Sequence, residues 1–220
     1  MPKKSWIKTD TLSTLISSLM ETVYFGGDNP PLQAAFDDRS SKLLIITGDN
    51  ASGKSYVRKL ICFALKKYSK IEPMHVSQQG RCTEGFMRAF MYGDESYEST
   101  GVISCKAVEG GINTCKSREN PHCIIWDEPD IGLSDDYAAG MGVKLREFIE
   151  GLPELTWGVV ISTHSKVMVQ QLVELDPSHL RLGGCPDLKA WLESKPTPKS
   201  LEELAERSHA VFRAISGIQK

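Results

Sequence analysis

No apolar run in this chain approaches the roughly 20 residues that a membrane-spanning helix needs. The opening Met1-Pro2-Lys3-Lys4-Ser5-Trp6 also lacks the apolar stretch of a signal peptide. Both absences predict a cytoplasmic protein with no membrane partner. The six cysteines (Cys62, Cys82, Cys105, Cys115, Cys123 and Cys185) form no C-x-x-C pair, so reduced thiols are expected. Cys115, His122 and Cys123 lie close enough in the chain to suggest zinc, but their spacing matches no familiar zinc pattern. A surplus of positive charge is missing too. The 26 Lys and Arg against 28 Asp and Glu leave a net −2, so no bulk field draws the chain onto nucleic acid or anionic lipid. A local basic patch stays open, and with it nucleic acid as a partner. The clearest basic cluster, Lys66, Lys67 and Lys70, ends a predicted helix, where it complements the helix dipole. Internal repeats and low-complexity segments are absent as well.

What remains is an ordinary globular balance over 220 residues, 40% hydrophobic and 25% charged, which fits one domain with a small appendage. Leu12, Leu15, Ile16, Leu19 and Met20 recur at helical spacing behind Thr9 and Asp10, which can cap. After the break at Gly26-Gly27-Asp28-Asn29-Pro30-Pro31, the short run Leu43-Leu44-Ile45-Ile46-Thr47 predicts a strand buried on both faces. A helix should follow from Lys54 to about Tyr68. Further strands are predicted at Met74–Val76, Cys123–Trp126 and Trp157–Ser162, and further helices at Asp136–Ile149 and Lys166–Leu175. Residues 93–122 show little periodicity. Beyond Cys185, prolines 186, 196 and 198 isolate two helices, near 187–194 and 200–215. Strands alternating with helices predict an α/β domain over residues 1–185, with a mostly parallel sheet and helices on both faces. A small helical extension should occupy 186–220.

Gly48-Asp49-Asn50-Ala51-Ser52-Gly53-Lys54-Ser55 matches G-x-x-x-x-G-K-[ST] in full, between a predicted buried strand and a helix. Gly48 and Gly53 permit the backbone angles that wrap N–H groups around a phosphate, and the helix start adds positive potential behind them. Lys54 can then reach terminal phosphates, and the Ser55 hydroxyl can ligate magnesium. The strand Cys123–Trp126 ends in Asp127 and Glu128. In parallel sheets ligands bind at the carboxyl ends of strands, so Asp127 is placed to hold magnesium and Glu128 to act as general base. Without the glycine loop, the same pair would read equally well as a solvated turn or a cap. The next strand ends in Ser162-Thr163-His164-Ser165, where His164 either contacts a terminal phosphate or is a surface residue near a helix start.

Taken together, these residues resemble the ATP-binding cassette superfamily. Gly48–Ser55 is similar to its Walker A loop, Ile124–Glu128 to its Walker B strand with catalytic glutamate, and His164 to its switch histidine. The run Asp-Glu-Pro-Asp-Ile-Gly-Leu with the later Ser-Thr-His-Ser resembles the soluble branch in particular. That branch holds recombination, repair and chromosome-maintenance ATPases and overcoming-lysogenization-defect nucleases. The resemblance spans roughly residues 40–175. It implies a P-loop fold, binding and hydrolysis of ATP with Mg2+, and Asp135 as the D-loop aspartate. The family's glutamine loop would fall at Gln78 or Gln79, Gln78 being preferred as a ligand of magnesium and water. It also implies an ATP-dependent homodimer, with a separately encoded effector as a further partner. The chain departs from the family in two places. It has no Leu-Ser-Gly-Gly-Gln signature; family spacing lands on Ser104, which would cap a helix and face a partner's nucleotide, or only cap. And just 72 residues separate Lys54 from Asp127, too few for the family's helical subdomain. Tyr24 and Phe25 are candidates for stacking on a base, though packing in the core suits them better. The alternatives are a transporter's nucleotide-binding subunit and a P-loop kinase of small molecules. The missing signature and subdomain weigh against the first. The sparse arginines between residues 80 and 122 weigh against the second.

Overall fold

A computed structural model describes residues 11–28, 30–39, 41–77, 98–183 and 187–218. Six strands form one sheet: β1 (Ala34–Asp37), β2 (Leu43–Gly48), β3 (Glu72–Ser77), β4 (His122–Asp127), β5 (Thr156–Ser162) and β6 (Ser178–Leu182). Their spatial order is β1-β6-β2-β5-β4-β3. Only β1 runs antiparallel, against β6; every other pairing is parallel. The chain is therefore an α/β protein with a six-stranded, mostly parallel sheet.

The helices are α1 (Leu12–Met20), α2 (Lys54–Ala64), α3 (Thr100–Ser117), α4 (Asp135–Glu150), α5 (Lys166–Gln170), α6 (Leu188–Glu193) and α7 (Leu201–Ile218). They cover both faces of the sheet, as the alternation of strands and helices predicts. Successive β2 side chains explain how. Leu44 and Ile46 join α1, α2 and Ile215 of α7 in one core, while Leu43 and Ile45 join α3, α4 and α5 in the other. All four are essentially sealed from solvent, so this stretch of β2 is apolar on both faces rather than alternating. The two C-terminal helices pack back onto this body. Trp191 and Leu192 of α6 rest on the α3–α5 side, and Val211 and Ile215 of α7 on the α1–α2 side.

Several boundaries differ from expectation. Thr11, not Thr9 or Asp10, caps α1, in a reciprocal arrangement with Thr14. The α2 helix becomes a π turn at Leu65–Ser69 and stops at Lys70, which has a left-handed φ of 57°. Lys166–Leu175 divides into α5 and a short 3-10 turn at Val173–Leu175. Two strands, β1 and β6, were not foreseen, and α3 was expected only through the family resemblance, as a helix starting near Ser104.

Candidate functional site

The Gly48–Ser55 loop leaves β2 and enters α2 without slack. A Cβ on Gly48 would lie 2.5 Å from Ser52 Oγ and 2.9 Å from Leu182 Cβ. Gly53 has φ 99°, and a Cβ there would meet Leu32 Cδ2 at 2.5 Å. Ala51 also takes a left-handed φ, 59°. Glycine is thus required at position 48 by packing and at position 53 by packing and backbone together. Asn50 is exposed at the tip, Ser55 is half-buried on α2, and the Ser52 hydroxyl is buried without a hydrogen-bond partner.

Lys54 curls back over this loop. Its ammonium donates to the carbonyls of Gly48 at 3.1 Å and Asp49 at 3.2 Å, and to His164 Nε2 at 2.6 Å. Burial pushes its pKa down to about 8, against the pull of the Glu128 and Asp127 charges.

Glu128 follows β4 with a φ of 52°, a rare conformation outside glycine. Its N–H donates to the Ser162 carbonyl at 2.7 Å, which ties the end of β4 to the end of β5. Beyond β5, the Thr163 N–H donates to the Ile46 carbonyl at 3.1 Å, tying β5 to β2. Because β5 lies between β2 and β4, His164 arrives between the loop and Glu128. His164 Nε2 stands 3.4 Å from Glu128 Oε1. The carboxyl of Glu128 is held below its ordinary value by the His164 contact, opposed by burial and helped by the Lys54 and Arg58 charges. A single ring nitrogen cannot accept from Lys54 and donate to Glu128 at once. An ammonium has no acceptor, so Nε2 either accepts from a charged Lys54 or, carrying the proton, donates to Glu128, and only the second arrangement gives the contact that lowers Glu128.

Asp127 is engaged as well, by Arg58 of α2, in an ion pair with both side chains largely buried. Arg58 was not expected in the site, although its spacing of four from Lys54 puts both on one helix face. Further basic residues come from distant sequence. Asp49 Oδ2 accepts from Lys199 at 2.5 Å and Arg207 at 3.0 Å, and Arg181 stands 3.8 Å from Oδ1. Burial alone would raise the Asp49 pKa; the Lys199 and Arg207 hydrogen bonds reverse this and lower it. No local signal in the sequence points to these partners.

Two other expected residues sit differently. Ser104 does not cap a helix. The α3 helix starts four residues earlier, with Ser99 as its N-cap, and Ser104 is buried, its hydroxyl within hydrogen-bonding reach of the Thr100 carbonyl at 3.1 Å and the Ile131 carbonyl at 2.9 Å. It fastens α3 to the turn after β4 instead of facing outward. That turn is close-packed, since a Cβ on Gly101 would lie 2.7 Å from the Gly132 carbonyl oxygen. Thr163 donates to Asp130 Oδ1 at 2.7 Å, securing the same turn to the end of β5. Asp135 lies exposed in the first turn of α4. Gln78 and Gln79 lie outside the described residues.

The remaining candidates resolve in favour of packing. Tyr24 stacks edge-on against Tyr56 at 5.5 Å, and Tyr24 and Phe25 both pack on the α1–α2 core. His122 uses Nδ1 on the Asn120 carbonyl and Nε2 on the Thr156 hydroxyl, leaving no ring nitrogen for zinc. Burial drives the neighbouring Cys115 thiol up to about 11 and raises Cys123 as well, so both stay protonated. Among the described residues, no cluster of three His, Cys, Asp or Glu is arranged to hold a metal, and no helix is long and apolar enough to cross a membrane.

No protein-family model matches the chain, and no curated protein matches it in sequence. The functional reading therefore rests on the site itself.

Proposed function

We propose that the chain binds ATP with magnesium and hydrolyses it, using the cycle to switch between two conformational or assembly states. The α/β sheet is then a P-loop fold of the cassette kind that the motifs resemble. One observation carries this reading: Lys54, Glu128 and His164, from the exits of β2, β4 and β5, meet at the mouth of a loop bounded by two indispensable glycines.

On this reading the loop N–H groups and the start of α2 receive the phosphates. Lys54 leaves His164 to pair with the terminal phosphates, a stronger partner than a neutral imidazole. His164 Nε2, no longer accepting from Lys54, can engage the γ-phosphate or the attacking water. Glu128, kept ionised, takes the proton from that water. Ser55 and Asp127 offer one hydroxyl and one carboxylate, the small protein donor set that magnesium accepts beside phosphate oxygens and water. When bound there, magnesium neutralises phosphate charge and polarises the transferred group. Arg58 must first release the Asp127 carboxylate, so loading the site breaks two internal pairs, Lys54–His164 and Arg58–Asp127. A homodimer of the expected kind would use the start of α3 at Ser99–Val102 and the exposed Asp135, not Ser104.

The test is phosphate release from ATP by the wild type and by Glu128→Gln, with ATP binding measured in parallel. Turnover that needs magnesium and drops in the variant while binding persists supports the proposal. A wild type that binds no ATP defeats it.

A further inference from the structure

Beside the phosphate loop lies a cavity of about 450 Å³, within the range of small-ligand pockets. One wall is Pro30 and Pro31, ahead of β1, and the floor is Ser52 of the loop. The opposite wall is α7, which contributes Arg207, Val211 and Ala214 from one helix face. Two features mark it as built for a ligand. Its lining is mixed, with prolines and small aliphatic side chains beside the polar Gln33, Ser52 and Arg207. And α7 is fastened at the loop, because Lys199, just ahead of it, and Arg207, on it, both donate to Asp49.

We propose that this cavity takes the base and ribose of the nucleoside triphosphate, with α7 as the wall that selects it. The inference rests on the phosphate-loop reading, since Ser52 belongs to both loop and cavity. Flat proline faces opposite small aliphatic side chains suit an aromatic heterocycle. Gln33 and Arg207 supply the polar contacts that a ribose or a ring edge needs. The Asp49 latch holds α7 at the distance that makes a slot, so the C-terminal helix is part of the nucleotide site rather than an appendage. The grip on the phosphates should then be separable from the grip on the nucleoside.

The experiment compares ATP with inorganic tripolyphosphate, which carries the same phosphates and no nucleoside, by calorimetry on the full chain. Ala214→Trp fills the slot from an exposed helix position. It should weaken ATP by at least about tenfold, a change of about 1.4 kcal/mol, and leave tripolyphosphate within about twofold. Ala210→Trp, on the same wall, should repeat the pattern, so one poorly folding variant does not decide the matter. Retained tripolyphosphate binding certifies the fold of each. If both Trp variants bind ATP as the wild type does, or bind it more tightly, the cavity is not the nucleoside subsite. Equal losses for both ligands would likewise overturn the inference. Lys54→Ala separates the two levels: it should abolish binding of both ligands. A wild type that binds neither would bring down the phosphate-loop reading itself.

Discussion

Lys54 Nζ lies 2.6 Å from His164 Nε2, so the cation of the glycine loop is already occupied by the histidine of a neighbouring strand. Each is the other's placeholder. An incoming phosphate has to separate them, and the separation changes what both can do.

The lowered Lys54 pKa makes nucleotide affinity depend on pH. Below about 8 the ammonium is charged and ready for phosphate. Above that value the free protein loses this proton, and binding must take one up, so Kd should climb by up to about tenfold per pH unit toward the ordinary lysine range. Fold stability should move the other way. The cost of burying the charge is present in full below about 8 and is relieved as pH rises from there toward 10.5. ATP titrations between pH 6.5 and 9.5 check the first trend, with Lys54→Met as a control that should bind weakly at every pH. A Kd flat across this range would show that Lys54 does not meet the phosphates as a cation.

His164→Ala should slow hydrolysis by about 10²-fold, in the range for losing one positioned transition-state donor, while ADP affinity stays near that of the wild type. ADP has no γ-phosphate for His164 to contact. Single-turnover phosphate release and ADP calorimetry are the paired measurements. A large loss of ADP binding would mean that His164 supports the loop rather than the reaction.

Arg58→Ala should destabilise the fold by about 3–5 kcal/mol, because it strands the Asp127 carboxylate in a mostly buried position. Arg58→Ala with Asp127→Asn should recover much of that loss. Magnesium should recover part of it in the single variant, by supplying another cation for Asp127. Urea unfolding with and without magnesium reads all three. Indifference of the single variant to magnesium would count against Asp127 as a ligand.

Gly101→Ala should loosen α3 from the turn after β4, since the added carbon falls 2.7 Å from a backbone oxygen that cannot swing aside. A stability loss of about 1–3 kcal/mol is expected for such overpacking. Gly110→Ala, on the same helix with open space around it, should be neutral or mildly stabilising. Thermal melts of the two side by side make the comparison.

These contrasts also explain what the sequence could convey. The glycine loop, the acidic strand end and the histidine strand end were legible because each is a contiguous run whose chemistry and flanking periodicity agree. Helix α3 was not, because Gly101, Gly110 and Gly111 look like helix breakers. Two of them are there for close approach, Gly101 to Gly132 and Gly111 to Trp126. Strand β6 escaped notice because Ser178-His179-Leu180-Arg181-Leu182 opens on two polar residues although it is buried. His179 reaches Thr47 at 2.7 Å, a satisfied pair that no local pattern announces. Ser104 went astray because its number was set by family spacing, while the helix start was set by Ser99. The Asp49 latch joins residues 150 and 158 positions apart, and only folding brings them together.

The two backbone bonds that cross the strand exits, from Glu128 to Ser162 and from Thr163 to Ile46, bear on how this molecule could move. They stitch β2, β5 and β4 into a single anvil just below Lys54, His164 and Glu128. Neither Glu128 nor His164 can therefore travel far from the glycine loop by strand sliding. If the site drives the proposed cycle, the movement would leave through what hangs from the anvil by side chains. On one side that is the Asp130–Gly132 turn, held by Thr163 and coupled through Ser104 to α3. On the other it is α7, held by Asp49 and its apolar seat. The sheet is the fixed frame, and these two helices are its levers.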